Sequence, residues 1–343
     1  MLQPVSNQIT PSVCTAEGRI VNVMRMTVLA SGSKGNSTVV SSRSTRILVD
    51  AGLSCRELMK RMRAAGEDPQ ALDAILITHE HQDHVNGLPV MARKLGIPVY
   101  FTEQTPRAWV RQMSPQRRMT YAQWLAQREQ EMEVVYGKGP DNAASTAEPA
   151  AGEMQAEIED DAEIENDAGV LKTDPARLPS VGYFSAGQHF AIGDIDVTPF
   201  TIPHDAADPC GFVFEADGCR IAIATDLGYM PPNVKQAVRR CDVLMLESNH
   251  DPEMLRDGPY PWSVKQRVMS RVGHLSNHAV ADFLGKDYDG GAQFVILAHL
   301  SESNNLPELA QMAAEEALNG KMSLLGNKVL LARQDLPLEP ISL

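Results

Sequence analysis

The sequence predicts an α/β fold in which two β-sheets pack face to face with helices on their outer faces, an αββα sandwich. Short apolar strand segments fall into two groups, one between residues 26 and 101 and one between residues 181 and 331. Helical segments accompany each group and can cover one face of a sheet. The hydrophobic content of 43% is ample for such a core. The chain shows no strong internal repeat that would indicate another architecture.

The domain organisation follows from the length and from one acidic segment. The 343 residues can hold one large domain or two ordinary ones. Residues 1–25 are expected to form a disordered tail, and residues 26–335 a single domain. A disordered insert at about residues 137–179, rich in Ala, Glu, Asp, Pro and Gly, interrupts that domain. Between Asp141 and Asp174 it carries −10 of the net charge of −13, which leaves −3 for the rest of the chain.

The first half contains five predicted strands, each an apolar run that ends in a polar or glycine-containing turn. Three helices accompany them, from Cys55 to Ala65, from Val85 to Leu95 and from Thr105 to about Glu133. Gly96 ends the second helix as its C-terminal cap. The strands are Thr27–Ser31, Thr38–Ser41, Arg46–Asp50, Ala74–Thr78 and Ile97–Phe101.

The second half begins with two predicted hairpins. Gly193-Asp194 joins strands at 188–192 and 195–200, and Asp217-Gly218 joins strands at 211–216 and 219–225. Later strands are predicted at 242–247, 293–298 and 328–331. Helices are predicted at 233–239, from the N-cap Ser276 to about Leu284, and at 306–318.

The segment Thr78–His84 contains four potential metal ligands within six residues, His79, His81, Asp83 and His84. It follows directly on an apolar strand, so His79 and His81 point to one side and Asp83 and His84 to the other. Such a loop can serve two neighbouring cations, and imidazole and carboxylate suit Zn²⁺, Mn²⁺ or Fe. A loop that is rich in histidine by chance has no reason to show these spacings. The segment therefore predicts a binuclear metal site.

Three other features have both a functional and a structural interpretation. In the turn Ser31–Ser37, backbone N–H groups, Ser33, Lys34 and Asn36 could cradle a phosphate, but a plain hairpin turn explains them equally well. Asp50 ends a strand ahead of a glycine turn and is predicted to support a metal-binding histidine by a hydrogen bond, or simply to cap the turn. The long charged helix of the first half interleaves arginine with aromatic residues, which fits nucleic-acid binding or, more simply, packing.

The order of the candidate ligands resembles that of the metallo-β-lactamase superfamily. Its pattern is H-x-H-x-D-H, then a single His, an Asp and a final His. Here His204, Asp226 and His299 follow the His-rich loop in that order, each at the end of an apolar strand. The resemblance implies the metallo-β-lactamase fold and two divalent metal ions, Zn²⁺ or Mn²⁺. It also implies two groups of ligands bridged by Asp226: His79, His81 and His204 for one metal, and Asp83, His84 and His299 for the other.

A narrower resemblance covers about residues 26–332, apart from the acidic insert. Several motifs are similar to those of the bacterial YycJ/WalJ/VicX-type metallohydrolases, which are linked with DNA 5′-exonuclease activity. The segment 104–180 departs from the compact pattern of that family. The motifs are Ser31–Ser37, Val49–Gly52, Thr78–His84, Thr225–Gly228, Glu247–Asp251, Gly273–Asn277 and His299–Ser301.

The segment Gly273–Ser276 also resembles the phosphate-contacting histidine motif of the ribonuclease J and β-CASP nucleases. The resemblance implies that His274 and Ser276, at a helix N-terminus, contact a phosphate and stabilise its developing charge. A histidine in a helix-capping turn is the structural alternative. Asp83 and His274 are the expected catalytic residues, and Ser33, Lys34 and Asn36 are the other expected phosphate contacts.

The function implied is that of a metal-dependent phosphodiesterase, a 5′-exonuclease acting on DNA in preference to RNA. A hydroxide bridging the metals would attack phosphorus in line, and His274 or a water would protonate the leaving oxygen. One alternative is a hydrolase of a small ester, thioester or lactone, which would typically lack the Gly-His-x-Ser motif. Another is a non-catalytic regulator of a signalling system, which would have no chemical need for all seven ligands.

The composition favours a cytoplasmic location. The five cysteines are scattered and odd in number, which argues against a disulfide framework and a cysteine-ligated zinc site. The N-terminal residues lack the apolar stretch of a signal peptide, and no run approaches the ~20 apolar residues of a membrane span. Net acidity counts against a nucleic-acid partner, but the insert holds most of it. The oligomeric state is not predicted.

Overall fold

A computed structural model describes residues 24–113, 176–319 and 327–343, together with two short strands nearer the N-terminus. These strands, β1 (Val13–Cys14) and β2 (Ile20–Val21), pair antiparallel with each other. These two strands lie within residues 1–25, where the sequence predicts disorder. Most of the acidic insert, up to residue 175, and the predicted continuation of the helix beyond Met113 lie outside the described residues.

The other strands of the described residues form two sheets of seven. Before residue 185 they are β3 (Arg25–Ala30), β4 (Ser37–Ser41), β5 (Arg46–Val49), β6 (Ala74–Leu76), β7 (Pro98–Thr102) and β8 (Ser180–Phe184). In the second half they are β9 (Phe190–Ile192), β10 (Ile195–Thr201), β11 (Cys210–Ala216), β12 (Cys219–Ala224), β13 (Val243–Glu247), β14 (Phe294–Ala298), β15 (Lys328–Leu331) and β16 (Ile341–Ser342).

Both sheets are mixed. The first has the order β16-β3-β4-β5-β6-β7-β8, antiparallel up to β5 and parallel from β5 onward. The second has the order β15-β14-β13-β12-β11-β10-β9, with β12 to β15 parallel and the rest antiparallel. Since β16 pairs with Arg25 and Met26, the first sheet includes residues beyond 335, the predicted end of the domain.

Nine α-helices are defined within the described residues, and several begin or end at recognisable caps. Ser54 accepts a hydrogen bond from the backbone of α1, and Gly96 ends α3 at a φ of 67°. The helices are α1 (Cys55–Ala64), α2 (Gln82–Val85), α3 (Leu88–Leu95), α4 (Thr105–Met113), α5 (Pro232–Ala237), α6 (Pro252–Asp257), α7 (Trp262–Val268), α8 (Asn277–Lys286) and α9 (Pro307–Leu318).

Three groups of buried side chains show that the layers stack as helix, sheet, sheet, helix. The group between the sheets combines residues of both, such as Val28 and Phe212. A second group packs α1, α3 and α4 on the outer face of the first sheet, where Trp109 is buried. A third packs α5, α8 and α9 on the second sheet. Each fully buried large side chain contributes about 1.5–3 kcal/mol. The predicted αββα sandwich is confirmed.

Polar residues gather where parallel strands of both sheets end. Asp50 follows β5, the His-rich loop follows β6, Asp226 follows β12, Glu247 ends β13, and His299 follows β14. Carboxyl ends of parallel strands are the usual location of binding sites in α/β proteins. Among the described helices, none is long and apolar enough to span a membrane.

Candidate metal centre

Two groups of possible metal ligands lie side by side at this edge. The Nδ1 atom of His81 is 3.2 Å from Nε2 of His204. In the second group, Asp83 Oδ2 is 3.4 Å from Nε2 of His84 and 3.5 Å from Nε2 of His299. In each group one ligand atom per residue lies within 4.8 Å of the others: His79, His81 and His204 in the first, and Asp83, His84 and His299 in the second.

Asp226 lies between the two groups. Its Oδ2 is 3.4 Å from Nε2 of His84, and its Oδ1 is 3.4 Å from Nε2 of His299. It also forms a third set of possible ligands with His79 and His84. The structure thus brings together all seven residues that the sequence suggests as ligands, with Asp226 in the position suited to a bridge.

The backbone is strained at three of these strand ends. Asp50, Asp226 and His299 have φ values of 60°, 62° and 54°, which few residues other than glycine adopt. Such conformations cost of order 1–3 kcal/mol each and cluster at functional sites. Here they occur where the chain leaves a buried strand and directs a polar side chain toward the ligand groups.

The His-rich loop is held by close backbone contacts. The N–H of Asn36 donates to the carbonyl of Asp83 at 2.7 Å, and the N–H of Ala51 donates to the carbonyl of His84 at 2.8 Å. A Cβ atom at Gly52 would lie 1.7 Å from the carbonyl oxygen of Asp83. Only glycine therefore fits at position 52, and the loop is fixed from both sides.

Asp50 lies directly behind the second ligand group. Its Oδ2 accepts a hydrogen bond from Nδ1 of His84 at 2.8 Å, and its Oδ1 accepts one from the N–H of Thr78 at 2.9 Å. This contact holds the His84 ring with Nε2 directed at the ligand group. A carboxylate behind a metal-binding histidine is usually placed in this way, so the supporting role of Asp50 stays a prediction with which this hydrogen bond is compatible.

Glu247 begins one of the motifs noted in the sequence, Glu247–Asp251, but no role in the site was predicted for it. The side chain of Glu247 is fully buried. Its Oε1 lies 2.7 Å from Nδ1 of His274 and 3.1 Å from Nδ1 of His299. Its Oε2 accepts hydrogen bonds from the N–H groups of Leu227 and Leu275. Burial raises the pKa of Glu247, but His274 and His299 outweigh it and lower the pKa below its usual range. One ionised carboxylate therefore orients two histidines. Its position at the end of the apolar strand β13 was the available signal.

The charges of the ligand groups compensate one another. Burial would raise the pKa of Asp83, but His84 and His299 hold it well below its usual range. Burial would lower the pKa of His84, but the carboxylates of Asp50, Asp83 and Asp226 raise it well above its usual value. Burial and the neighbouring histidines hold the pKa of His79 well below its usual value, which favours the neutral imidazole that binds metals.

Buried atoms without partners test whether this set of residues suits metal ions. Among the described residues, Nε2 of His79, Nε2 of His299 and Oδ2 of Asp226 are buried and make no hydrogen bond. Each unsatisfied buried polar group costs about 1–3 kcal/mol. Cations would satisfy all three atoms, and imidazole with carboxylate is a donor set of Zn²⁺ and Mn²⁺. The residues fit divalent metals, which proteins of this superfamily typically bind.

A cavity of about 380 Å³ opens over the ligand groups. His81, Asp83, His204, Asp226 and His299 line it, as do Ser33 and His274 and, from α4 and α7, Gln112, Val264 and Arg267. Arg267 forms an ion pair with Asp205 at 2.5 Å on the same wall. The cavity is therefore bounded by the candidate ligands on one side and by polar and apolar side chains on the others.

The other predicted phosphate contacts have partners of their own. The buried Asn36 donates to Oδ2 of Asp83 at 3.1 Å and to the carbonyl of Gly32 at 3.0 Å. The exposed Lys34 forms an ion pair with Glu302 at 2.8 Å. The hydroxyl of Ser276 accepts from the N–H of Ala279 and caps α8. The geometry favours a structural role for Asn36 and Ser276.

Trp109 favours the packing interpretation for the described part of the predicted long helix, α4. Its side chain is only 3% exposed and stacks on Phe101 with ring centroids 6.2 Å apart. The aromatic residue of this helix that the structure describes therefore packs in the core, as the simpler interpretation predicted. Trp124 and Tyr121 lie outside the described residues.

Comparisons with known proteins give the class and then the nearer family. The profile of the Metallo-beta-lactamase superfamily matches residues 30–244, so the chain belongs to that superfamily and is a hydrolase. Exodeoxyribonuclease YycJ from Bacillus anthracis is 33% identical over 298 residues, 87% of this chain and 90% of that protein. Exodeoxyribonuclease WalJ from Streptococcus pneumoniae serotype 2 is 32% identical over 288 residues, 84% of this chain and 86% of that protein. The chain is a member of this YycJ/WalJ-type family.

A solved structure agrees on the fold. The metallo-beta-lactamase fold protein YhfI from Bacillus subtilis superimposes with a TM-score of 0.55 and covers 92% of this chain and 99% of its own. The identity is 14%, so this likeness concerns the fold alone.

Proposed function

We propose that this hydrolase is a 5′-exonuclease that removes nucleotides from DNA. The observation that carries the proposal is the similarity to two exodeoxyribonucleases over more than four fifths of the chain. The two adjoining ligand groups and the cavity over them supply a centre suited to that chemistry.

Two divalent metal ions, Zn²⁺ or Mn²⁺, are proposed as the cofactors. His79, His81 and His204 would hold one, Asp83, His84 and His299 the other, and Asp226 would contact both. Bound there, they would act as Lewis acids on the phosphate and lower the pKa of a water molecule toward 7. The three buried atoms that lack hydrogen bonds belong to this set, which supports the assignment.

His274 is proposed as the residue that donates a proton to the leaving oxygen. Its Nδ1 is 2.7 Å from Glu247, which leaves Nε2 available to a phosphate oxygen in the cavity that His274 lines. Burial would lower the pKa of His274, but the charge and hydrogen bond of Glu247 raise it above its usual value. The imidazolium form is thus favoured. It can donate a hydrogen bond to the phosphate and then a proton to the leaving oxygen.

The contacts to the polynucleotide backbone are proposed at the cavity rim. Ser33 lines the cavity, and the neighbouring Lys34 would have to exchange Glu302 for a phosphate. Arg267 is a second cation at the rim, 66% exposed at its side chain. Since surface ion pairs contribute only about 0–1 kcal/mol, breaking the ion pair of Lys34 with Glu302 would cost little free energy.

The test uses full-length protein loaded with Mn²⁺ or with Zn²⁺ and DNA and RNA strands labelled at the 5′ or the 3′ end. Stepwise loss of nucleotides from the 5′ end of DNA is expected, with little loss from RNA. An Asp83→Ala/His84→Ala variant is the control and should be inactive. If fully metallated protein cuts neither polymer, the proposal is wrong, and small esters, thioesters and lactones become the substrates to examine.

A further inference from the structure

The cavity over the metal centre continues into a second, uncharged groove. This amide groove, of about 280 Å³, is lined by Gln82, Val85, Asn86, Pro89, Trp109 and Gln112. Gln82 and Gln112 line both cavities, so the two spaces adjoin. A group held in the groove would therefore sit next to a phosphate at the metal centre.

The bottom of the groove is apolar. Val85 and Pro89 are buried, and Trp109 is 3% exposed and stacked on Phe101. The outward edges of these side chains leave a small apolar surface at the bottom of the groove, against which one side of a planar ring could pack. The groove is also smaller than most ligand cavities, which measure about 300–1,000 Å³, so it suits one ring system and not a longer segment.

The rim of the groove offers hydrogen bonds without charge. Within the described part of the chain, the side-chain amides of Gln82, Asn86 and Gln112 make no hydrogen bond, and all three side chains are exposed. Each amide carries both a donor and an acceptor, which matches the mixed donors and acceptors along the edge of a base. No described residue lining the groove is ionisable. A phosphate could use only the amide donors, whereas the edge of a base can use both the donors and the acceptors.

We infer that the amide groove binds one nucleobase next to the scissile phosphate, with the apolar bottom of the groove against the ring and Asn86 and Gln112 at the edge of the base. The inference rests on the proposed nuclease function and adds a subsite to it. The base anchors the terminal segment of the strand while the phosphate lies at the metal centre.

The test measures binding by calorimetry to the Mn²⁺-loaded full-length protein. The probes are the four deoxynucleoside 5′-monophosphates and 2-deoxyribose 5-phosphate, which has the same phosphate and sugar but no base. At least one nucleotide should bind about tenfold more tightly than the sugar phosphate, the effect expected of hydrogen bonds from Asn86 and Gln112 to the base. In Asn86→Leu that advantage should fall to about threefold or less, since a hydrogen bond contributes about a factor of 2–13. The affinity for the sugar phosphate should not change.

Two further variants make the result decisive. Gln112→Leu should reproduce the effect of Asn86→Leu and serves if the latter folds poorly, as judged by circular dichroism. Gln236→Leu removes an exposed amide of α5, outside both cavities, and should leave the nucleotide advantage intact. Equal affinity of wild-type protein for all five probes overturns the inference, as does an advantage that neither groove variant reduces.

The outcome is separable from that of the exonuclease proposal. Binding is measured without turnover, so a base-dependent affinity in a protein that cuts no DNA would retain the subsite and remove the exonuclease. Cleavage of DNA by a protein that binds all five probes equally would support the exonuclease function and rule out the base subsite.

Discussion

Glu247→Gln distinguishes two possible roles of Glu247: orienting the His274 and His299 rings, and simply filling space in the core. The glutamine has the same shape, but one of its two terminal atoms becomes an NH₂ donor. All four groups around Glu247 are N–H groups or ring nitrogens, at 2.7 and 3.1 Å on one side and 2.8 and 3.2 Å on the other. Whichever way the amide is turned, it faces one of these pairs with a donor.

The magnitude follows from the two bonds that are lost. Hydrogen bonds to a charged group contribute about 1.5–3 kcal/mol each, so the upper limit is about 3–6 kcal/mol. Small movements of the two imidazole rings will recover part of this free energy. Substitution of a residue that hydrogen-bonds a metal ligand typically lowers metal affinity or activity about 10–100-fold. We therefore expect metal affinity and kcat to fall about 10–100-fold, equivalent to about 1.4–2.8 kcal/mol, with KM for DNA little changed.

The assay combines metal content after dialysis against a chelator series with kcat and KM on 5′-labelled DNA. Glu215→Gln is the matched control, because Glu215 lies on β11 with its side chain 45% exposed and paired with Arg220 at the surface. It should behave as wild type. Wild-type kcat and metal affinity in Glu247→Gln would refute the reasoning that Glu247 orients His274 and His299.

Two further predictions concern the frame around the centre. In a urea titration, Gly52→Ala should lower the free energy of unfolding by more than about 2 kcal/mol, because its Cβ would lie 1.7 Å from the carbonyl oxygen of Asp83. The same variant should bind metal more weakly. Gly285→Ala, whose Cβ would have no neighbour closer than 3.8 Å, is the control and should be neutral or slightly stabilising. Burial lowers the pKa of His250 to about 4 from 6.5, so its contribution to stability is complete above pH 6.5 and is lost as the pH falls toward 4. Between about pH 7.5 and about pH 5, wild type should lose about 1–2 kcal/mol more than His250→Gln, and equal losses would contradict the assignment.

The convergence of the candidate ligands follows from their places at strand ends, whereas their assignment as ligands came from the resemblance in motif order. Parallel strands place their carboxyl ends at one edge, so a polar residue after each apolar run converges on the same place. His204, Asp226 and His299 lie far apart in the chain and meet the His-rich loop for this reason. From its place at a strand end ahead of a glycine turn, Asp50 was predicted either to support a histidine or to cap the turn.

Features that depend on side-chain contacts could not be predicted in this way. Glu247 ends a run of buried apolar residues, and nothing in its neighbours shows that two histidines face it. Lys34 resembles a phosphate ligand in sequence, yet its partner Glu302 lies 268 residues further along the chain. The strand Ile341–Ser342 is too short to show a periodicity and forms only because it pairs with Arg25 and Met26.

The most direct test of the central claim is a titration of metal-free protein with Mn²⁺, in which bound metal per chain and release of 5′-terminal nucleotides from DNA are measured on the same samples. Two adjoining ligand groups that share Asp226 predict that activity rises only as the second ion binds, and that Asp226→Ala is inactive at any occupancy. Full activity at one ion per chain, or activity in the Asp226→Ala variant, would contradict a binuclear nuclease centre.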